Sequence, residues 1–535
     1  MDFSIQSTEY VNNTMHGTYR WQFLDLHGTL NISSFRASGL DYNFPTQLGD
    51  VLITTYPDGG TFLFIDVGRD EATGYRAYHM STINIKLNPQ ETIDYGDEIS
   101  RQATQELLAD YEEQFGMTLQ YTSENFYWYS NAADSRLLPD LVAGVEGKWG
   151  RLMEVFEPPS QRINICFFDF DDLAVALKDI MPFLATADDW VARNIWPGNA
   201  LWSIRPDLNT VVSSGPRGRT SIDKLLIDTT VHEVAHVLQT HLINWDRMGS
   251  FTSDWVIEGS ANFLAGNVDP LGPELRSAVQ RNDIPTLDKL ETPGLNTGDH
   301  SDYNFFSMAS ASIFQFIADI YGMEYIADMY RYPDDIQRVF GISRAEFERQ
   351  WHLYLRLTLD PPQSLNTTSP WARSEMVSAI IKGFVPANLQ DNYQNIITRA
   401  EFAALAVKFF ETVTGTEITE RRTFADTNDI NVEKAAGIRV VTGIGNNRFN
   451  PNGQLTREEA ATMLSRLANA LEQPLPNHQA TFSDAGSVSS WATIAVGQMQ
   501  ASGVMTGSGN RFSPHGPYTR EQSIATILRL FDIVT

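Results

Sequence analysis

Residues 232–236 read His232-Glu233-Val234-Ala235-His236, an H-E-x-x-H pattern inside a window of helical period. Apolar residues recur at Ile227, Val231, Val234, Ala235, Leu238 and Leu242, the spacing of a helix. Positions four apart share a helix face, so the two imidazoles converge on one point. That suits two of the three protein ligands of a hydrolytic zinc, with Glu233 beside them to take a proton from water. The chain holds 10 His and 66 acidic residues. A chance H-[D/E]-x-x-H is then expected about 0.02 times. Two surface histidines on an ordinary helix would read the same way, so a third ligand decides.

The candidate lies in Trp255-Val256-Ile257-Glu258-Gly259-Ser260-Ala261-Asn262, 22 residues on (258 − 236). Its apolar spacing predicts a second helix, which can fold back and present Glu258 to the same ion. Two His and one Glu leave the fourth position to water. Asn262, one turn after Glu258, is placed to support a ligand from outside. His241 is five residues past His236 and points about 140° away, as a surface residue would.

These segments resemble the gluzincin metallopeptidases, and more narrowly the bacterial peptidase MA-like domains. The likeness runs over roughly 120–358. Upstream it includes Phe126-Tyr127-Trp128-Tyr129, LLPDLVAGVEGKWGRLMEVF (137–156) and RINICFFD (162–169). Downstream it includes Tyr303-Asn304-Phe305-Phe306, SASIFQFIADIYG (310–322) and EFERQWHLYL (346–355). The resemblance implies a mixed sheet plus a helical subdomain, one Zn2+ per chain, and peptide or protein as substrate. It gives Glu233 the role of general base and Tyr303 that of oxyanion donor; His300 and Asp302 lie close by in sequence. It also implies an edge strand before the zinc helix that pairs with extended substrate, assigned to Val211, Val212 and Ser213 in a β-prone run. The Gly-x-Met-Glu-Asn segment of related aminopeptidases is not visible upstream, which favours an endopeptidase.

A second pattern fills the C-terminal 160 residues. Thr398-Arg399-Ala400-Glu401, Thr456-Arg457-Glu458-Glu459 and Thr519-Arg520-Glu521-Gln522 recur with arginines 58 and 63 residues apart (457 − 399, 520 − 457). Thr followed three residues later by Glu or Gln is a capping box, so each unit starts a helix there. Capping does not account for the arginine, which a helix dipole mildly opposes in the first turn. A helix start with an added Arg suits an anion. GNNRFNPNG (445–453) and GNRFSPHG (509–516) precede the second and third helices, and Val441-Thr442-Gly443 and Met505-Thr506-Gly507 precede those loops.

This region resembles three tandem S-layer homology (SLH) repeats. The resemblance implies a mainly helical pseudo-trimer whose grooves bind anionic, often pyruvylated, secondary cell-wall polysaccharide. Arg399, Arg457 and Arg520 carry over as binding residues, with Gly443 and Gly507 as matching glycines. The first unit departs from the pattern: GFVPANLQDNYQNI stands where the others have the glycine-rich loop. The second lacks the Trp that the first and third carry as Trp371 and Trp491.

With 535 residues and 42% hydrophobic content, the chain can build several cores. The expected layout is multidomain α+β: a β-rich accessory domain (1–118), the gluzincin-like domain (119–358), a Pro/Ser linker (359–370) and SLH repeats at about 371–418, 419–475 and 476–535. Within the first domain, Val51–Tyr56 and Thr61–Ile65 flank Pro57-Asp58-Gly59-Gly60 and read as a hairpin. A net charge of −27 argues against nucleic acid or an anionic membrane as partner. Cys166 is the single cysteine, so no disulfide framework exists. No apolar run is long enough for a transmembrane segment. MDFSIQSTEYVNN lacks a basic n-region and an apolar h-region, so the numbering is expected to begin after a signal peptide, with the protein outside the cell on the wall or S-layer. The sequence thus points to a wall-anchored zinc peptidase. Two alternatives stay open: a non-catalytic S-layer-associated structural or adhesive protein, and a zinc hydrolase acting on something other than peptide.

Overall fold

The computed structural model describes residues 2–11, 14–23, 26–32, 51–55, 61–69, 76–82, 105, 108–131, 137–159, 161–168, 202–205, 210–214, 224–242, 254–291, 300–332 and 335–535. The chain divides into two compact units, Met1–Leu275 with Pro285–Ala345, and Arg276–Ile284 with Glu346–Thr535. It is a multidomain α+β protein.

The first unit opens with two antiparallel three-stranded sheets. One holds β1 (Asp2–Val11), β2 (Thr14–Phe23) and β3 (Leu26–Ile32); the other holds β4 (Val51–Thr55), β5 (Thr61–Arg69) and β6 (Arg76–Thr82). The β4–β5 pair is the hairpin read from the sequence, with Thr55 opposite Thr61.

A five-stranded mixed sheet follows, built from β7 (Thr118–Thr122), β8 (Phe126–Ser130), β9 (Ile163–Phe168), β10 (Trp202–Arg205) and β11 (Thr210–Ser214). Its order is β10-β11-β9-β8-β7, parallel among β11, β9 and β8 and antiparallel at both ends. Helix α1 (Leu138–Leu152) is the crossover that parallel β8 and β9 require. Every residue of β9 is buried, whereas β8 alternates, so the centre of the sheet is covered on both faces. One expectation fails here. Val211, Val212 and Ser213 lie on β11, which is interior, paired to β10 on one side and β9 on the other. Their backbone groups are used within the sheet, so substrate cannot add there. Among the described residues the edge strand on that side is β10.

Helices α2 (Lys224–Leu242), α3 (Asp254–Ala265), α4 (Pro273–Gln280), α5 (Leu287–Glu291), α6 (His300–Ile320), α7 (Glu324–Arg331) and α8 (Ile336–Phe340) follow. Helix α2 packs on α1 and on β10 and β11, and α3 lies between α2 and α6. Gly259 permits this close approach: a Cβ there would sit 2.8 Å from the Ser310 backbone of α6.

In the second unit, α9 (Arg344–Leu359) is tied to residues 276–284 by Arg276 Nη1 donating to Leu359 O (2.6 Å) and Arg356 Nη2 to Asn282 Oδ1 (3.0 Å). Three pairs of helices then repeat: α10 (Arg373–Ile381) and α11 (Arg399–Thr414), α12 (Ile430–Gly437) and α13 (Arg457–Ala470), α14 (Thr493–Ala501) and α15 (Arg520–Val534). All three capping boxes form, at Thr398/Glu401, Thr456/Glu459 and Thr519/Gln522. The long helix of each repeat packs on the short helix of the next, α11 on α12, α13 on α14 and α15 on α10. The capping segments close a ring through bridges Thr398–Gln454, Thr456–Pro517 and Ile396–Thr519. The segment before the first repeat is less open than a linker: Leu365 is buried in a short turn, and Ser369 N–H and Oγ–H donate to Glu521.

Candidate functional site

Helices α2 and α3 bring His232, His236 and Glu258 to one point. The two Nε2 atoms are 3.0 Å apart, and Glu258 reaches His232 Nε2 at 3.4 Å and His236 Nε2 at 3.5 Å. Four-coordinate zinc with bonds of about 2.1 Å places neighbouring ligand atoms about 3.4 Å apart. The three spacings suit such an ion. Both imidazoles are buried, while the Glu258 side chain is 29% exposed, so the site opens on the carboxylate side.

The proton positions on His236 can be derived. Gln239 Nε2 donates to Ile257 O (3.0 Å), and a carbonyl can only accept. Gln239 Oε1 therefore faces His236 Nδ1 at 2.9 Å, and that nitrogen carries the proton. Nε2 is left with its lone pair directed at the site, as ligation requires. Gln239 also donates to Ser260 Oγ and Tyr330 Oη, and those two hydroxyls bond each other, so α2, α3 and α7 all fix this one amide. Burial, then the neighbouring His232, pushes His236 down to about 4, which keeps it neutral. Burial works the same way on His232, but the carboxylates of Glu258 and Glu233 outweigh it and hold its pKa above the ordinary value. A cation among these ligands would take the place of that proton.

Glu233 is 2% exposed, its Oε1 has no hydrogen-bond partner, and it lies 3.8 Å from His232 Nε2. Burial pushes its carboxyl up to about 8. Asn262, one turn after Glu258, is buried, and its side chain helps raise the pKa of His232. Asn267 Nδ2 lies 3.4 Å from His232 Nδ1, so this amide also borders the ring.

One turn before His232 on α2, the buried Asp228 pairs with Lys148 of α1 and Lys224. The same lysines donate to the carbonyls of Ala265 and Gly266 at the end of α3. Cations at a helix C-terminus are favourable, and here they dock the Glu258 helix against the histidine helix. Gln239, Asn267 and Asp228 escaped the sequence reading. Gln239 had a signal, since it stands one turn past His236 on the same helix. Asn267 and the lysines are joined to the site only by the tertiary fold. Tyr303 falls in the first turn of α6; its side chain, with those of His241, His300, Asp302, Val212 and Ser213, lies outside the described residues.

The arginines of the second unit have a structural duty that the sequence reading missed. Arg399 Nε and Nη2 donate to Phe449 O (3.0 Å) and Thr442 O (2.9 Å) of the next repeat. Arg457 does the same to Phe512 O (2.7 Å) and Thr506 O (3.1 Å). Arg520 reaches Asp391 O (3.0 Å) of the first repeat. The helix-start N–H groups are also spent. Arg399 and Ala400 donate to Gly453 O and Pro451 O, Arg457 and Glu458 to Gly516 O and Pro514 O, Arg520 and Glu521 to Asn395 O and Tyr393 O. With the capping boxes, the first-turn donors are satisfied inside the ring, so the backbone anion site expected at each helix start is not available. Gly443 and Gly507 are glycines for a packing reason. A Cβ there would lie 2.7 Å from Arg448 O and 2.5 Å from Arg511 O respectively, and 2.9 Å from the rings of Phe424 and Phe482.

Residues 428–461 and 481–522 match the S-layer homology domain family. The chain is similar to an amylopullulanase of Thermoanaerobacterium thermosulfurigenes, 31% identical over 162 residues, 29% of this chain and 8% of that protein. It is also similar to an S-layer protein of Bacillus thuringiensis subsp. finitimus, 34% identical over 105 residues, 19% of this chain and 12% of that protein. An endoglucanase of Bacillus sp. strain KSM-635 is 32% identical over 140 residues, 25% of this chain and 15% of that protein. The chain thus spans 8% to 15% of the length of these relatives, and the likeness lies in their S-layer homology regions. The first repeat, with its divergent loop, stays outside the matched segments. Among the described residues no helix is long and apolar enough to cross a membrane. The C-terminal segment is an S-layer homology region, and it associates the protein with the cell wall or S-layer surface.

Proposed function

We infer that this protein is a zinc-dependent peptidase of gluzincin type, held on the cell wall by its SLH repeats through an anionic wall polysaccharide. The observation that carries the reading is the convergence of His232, His236 and Glu258 at the spacing of zinc ligands, with the Glu233 carboxylate buried beside them. Zinc bound there would lower the pKa of a coordinated water and polarise the scissile carbonyl. His236 is already the tautomer that ligation needs, held by Gln239. Glu233 Oε1 has no hydrogen-bond partner, and a cation held by the neighbouring ligands would favour the ionised carboxylate, which can then take a proton from water and pass it to the leaving amine. Among the described residues β10 has no strand on its outer side, so an extended peptide can pair along Trp202–Arg205, next to the helix that carries the histidines.

A purely structural metal site needs no buried acceptor carboxylate, so Glu233 favours catalysis over the adhesive alternative. The glycosidases among the relatives align through SLH repeats and add nothing on this unit's substrate. The test is digestion of a mixed peptide library by the full chain as purified, after chelation, and after zinc is restored. Cleavage that is lost and then regained supports the reading. No cleavage by the zinc-loaded chain, or cleavage indifferent to chelation, overturns it.

A further inference from the structure

Gln239 links the histidine site to a hydroxyl from a distant helix. Its Nε2 carries two hydrogens and has three oxygens within reach: Tyr330 Oη at 2.8 Å, Ile257 O at 3.0 Å and Ser260 Oγ at 3.0 Å. Ile257 O and Ser260 Oγ are 3.2 Å apart, so from Nε2 they subtend about 64° (2 × arcsin of 1.6/3.0). The two N–H bonds of a planar amide diverge by about 120°, and a hydrogen bond weakens as it departs from linear. The two oxygens on α3 are thus too close together to take one hydrogen each in line. They share one, and the other goes to Tyr330 Oη, the nearest of the three. The hydroxyl protons follow. Ser260 Oγ donates to Val256 O, one turn back on its own helix, at 2.7 Å. Between the Ser260 and Tyr330 hydroxyls, Tyr330 is then the donor and Ser260 the acceptor. Tyr330 Oη therefore turns only lone pairs to Gln239. At 0% exposure the tyrosine touches no substrate.

Resting on the reading of His232, His236 and Glu258 as a zinc site, we propose that Tyr330 is a positioning residue for His236. It acts through Gln239. The tyrosine oxygen holds the second amide N–H, which stops the amide from pivoting about its bond to Ile257 O and keeps Oε1 on His236 Nδ1 at 2.9 Å. Helix α7 meets α2 here across 91 residues of sequence, and it thereby helps to set which nitrogen of the ring carries the proton. Without the hydroxyl, one Gln239 N–H has no acceptor in line, in a buried place where an unmet donor is costly. Ser260 cannot replace it, because it lies on the same side of the amide as Ile257 O. The amide then turns to find an acceptor, and the ring loses its fixed partner.

The test compares Tyr330→Phe with Ile326→Val in the full chain. Ile326→Val trims a fully buried side chain of the same helix and leaves the hydroxyl alone. Both should lower the melting temperature, and two readouts then separate positioning from packing. In competition for zinc against a chromogenic chelator, affinity should fall about threefold to tenfold for Tyr330→Phe, short of the 10–100-fold of a direct partner, and stay within about twofold for Ile326→Val. In metal-free protein carrying nitrogen-labelled histidine, the His236 ring, assigned by its loss in His236→Gln, should show one Nδ1–H tautomer in wild type and Ile326→Val. In Tyr330→Phe it should show a mixture. An unchanged ring signal or wild-type zinc affinity in Tyr330→Phe, or an equal loss of affinity in Ile326→Val, overturns the proposal. Wild type that binds no zinc, while Tyr330→Phe still shifts the ring signal, would instead remove the zinc reading and leave the positioning role standing.

Discussion

Replacing Gln239 by Leu removes the acceptor for the His236 Nδ1–H, and with it the group that fixes the ring's tautomer and direction. The amide sits 2.9 Å from Nδ1 and is anchored to Ile257, Ser260 and Tyr330, so no neighbour can substitute for it without a shift of α3 or α7. Loss of such an outer hydrogen bond weakens metal binding by about 10–100-fold, or about 1.4–2.7 kcal/mol. Fold stability should fall too, by about 1–3 kcal/mol, because buried polar groups lose their partner. The two effects can be separated. Gln239→Glu keeps an acceptor for Nδ1–H but cannot donate to Ile257 O, so stability should drop while zinc affinity is retained. The assay is competition for zinc against a chromogenic chelator, run on protein shown to be folded by circular dichroism. Zinc affinity of folded Gln239→Leu within about twofold of wild type would refute the argument.

Asp228→Asn should lower stability by about 2 kcal/mol in denaturant titration, since Asp228 is 2% exposed and carries two lysines. The figure is kept low because Lys224 is largely solvated. An unchanged midpoint would mean the lysines are not what docks α3. Acid should loosen the repeats. Burial would raise Glu401, but bonds from Thr398 and Arg520 outweigh it and hold it below the ordinary value. Backbone N–H groups do the same for Asp426 and Asp484. Depressed carboxylates stabilise the fold above their unfolded values of about 4, and that contribution is lost as pH falls through the lower folded values. Melting temperature should therefore drop between pH 5 and pH 3; a flat profile would count against these pairings.

The clustering of His232, His236 and Glu258 was legible because helical spacing alone puts His232 and His236 on one face, and Glu258 sits in a second apolar helix within reach of them. The outer contacts were not legible, since Lys148, Asn267 and Tyr330 reach the site only through packing between distant segments. The strand 210–214 was recognisable by its β-branched residues, but propensity carries no information on neighbours, and β10 occupies the edge assigned to it. In the repeats, Thr-Arg-x-Glu/Gln gave the helix starts correctly. The motif marks the arginines as binding residues, but that Arg399 and Arg457 also bridge consecutive repeats, through the carbonyls of Thr442, Phe449, Thr506 and Phe512, is visible only in the fold.

The most direct measurement compares wild type with Glu233→Gln, each assayed for zinc content and for cleavage of the same peptide library by mass spectrometry. Both should hold one zinc per chain through His232, His236 and Glu258, and only wild type should cut. Equal cleavage by the two proteins, or zinc absent from both, would contradict the assignment of this site.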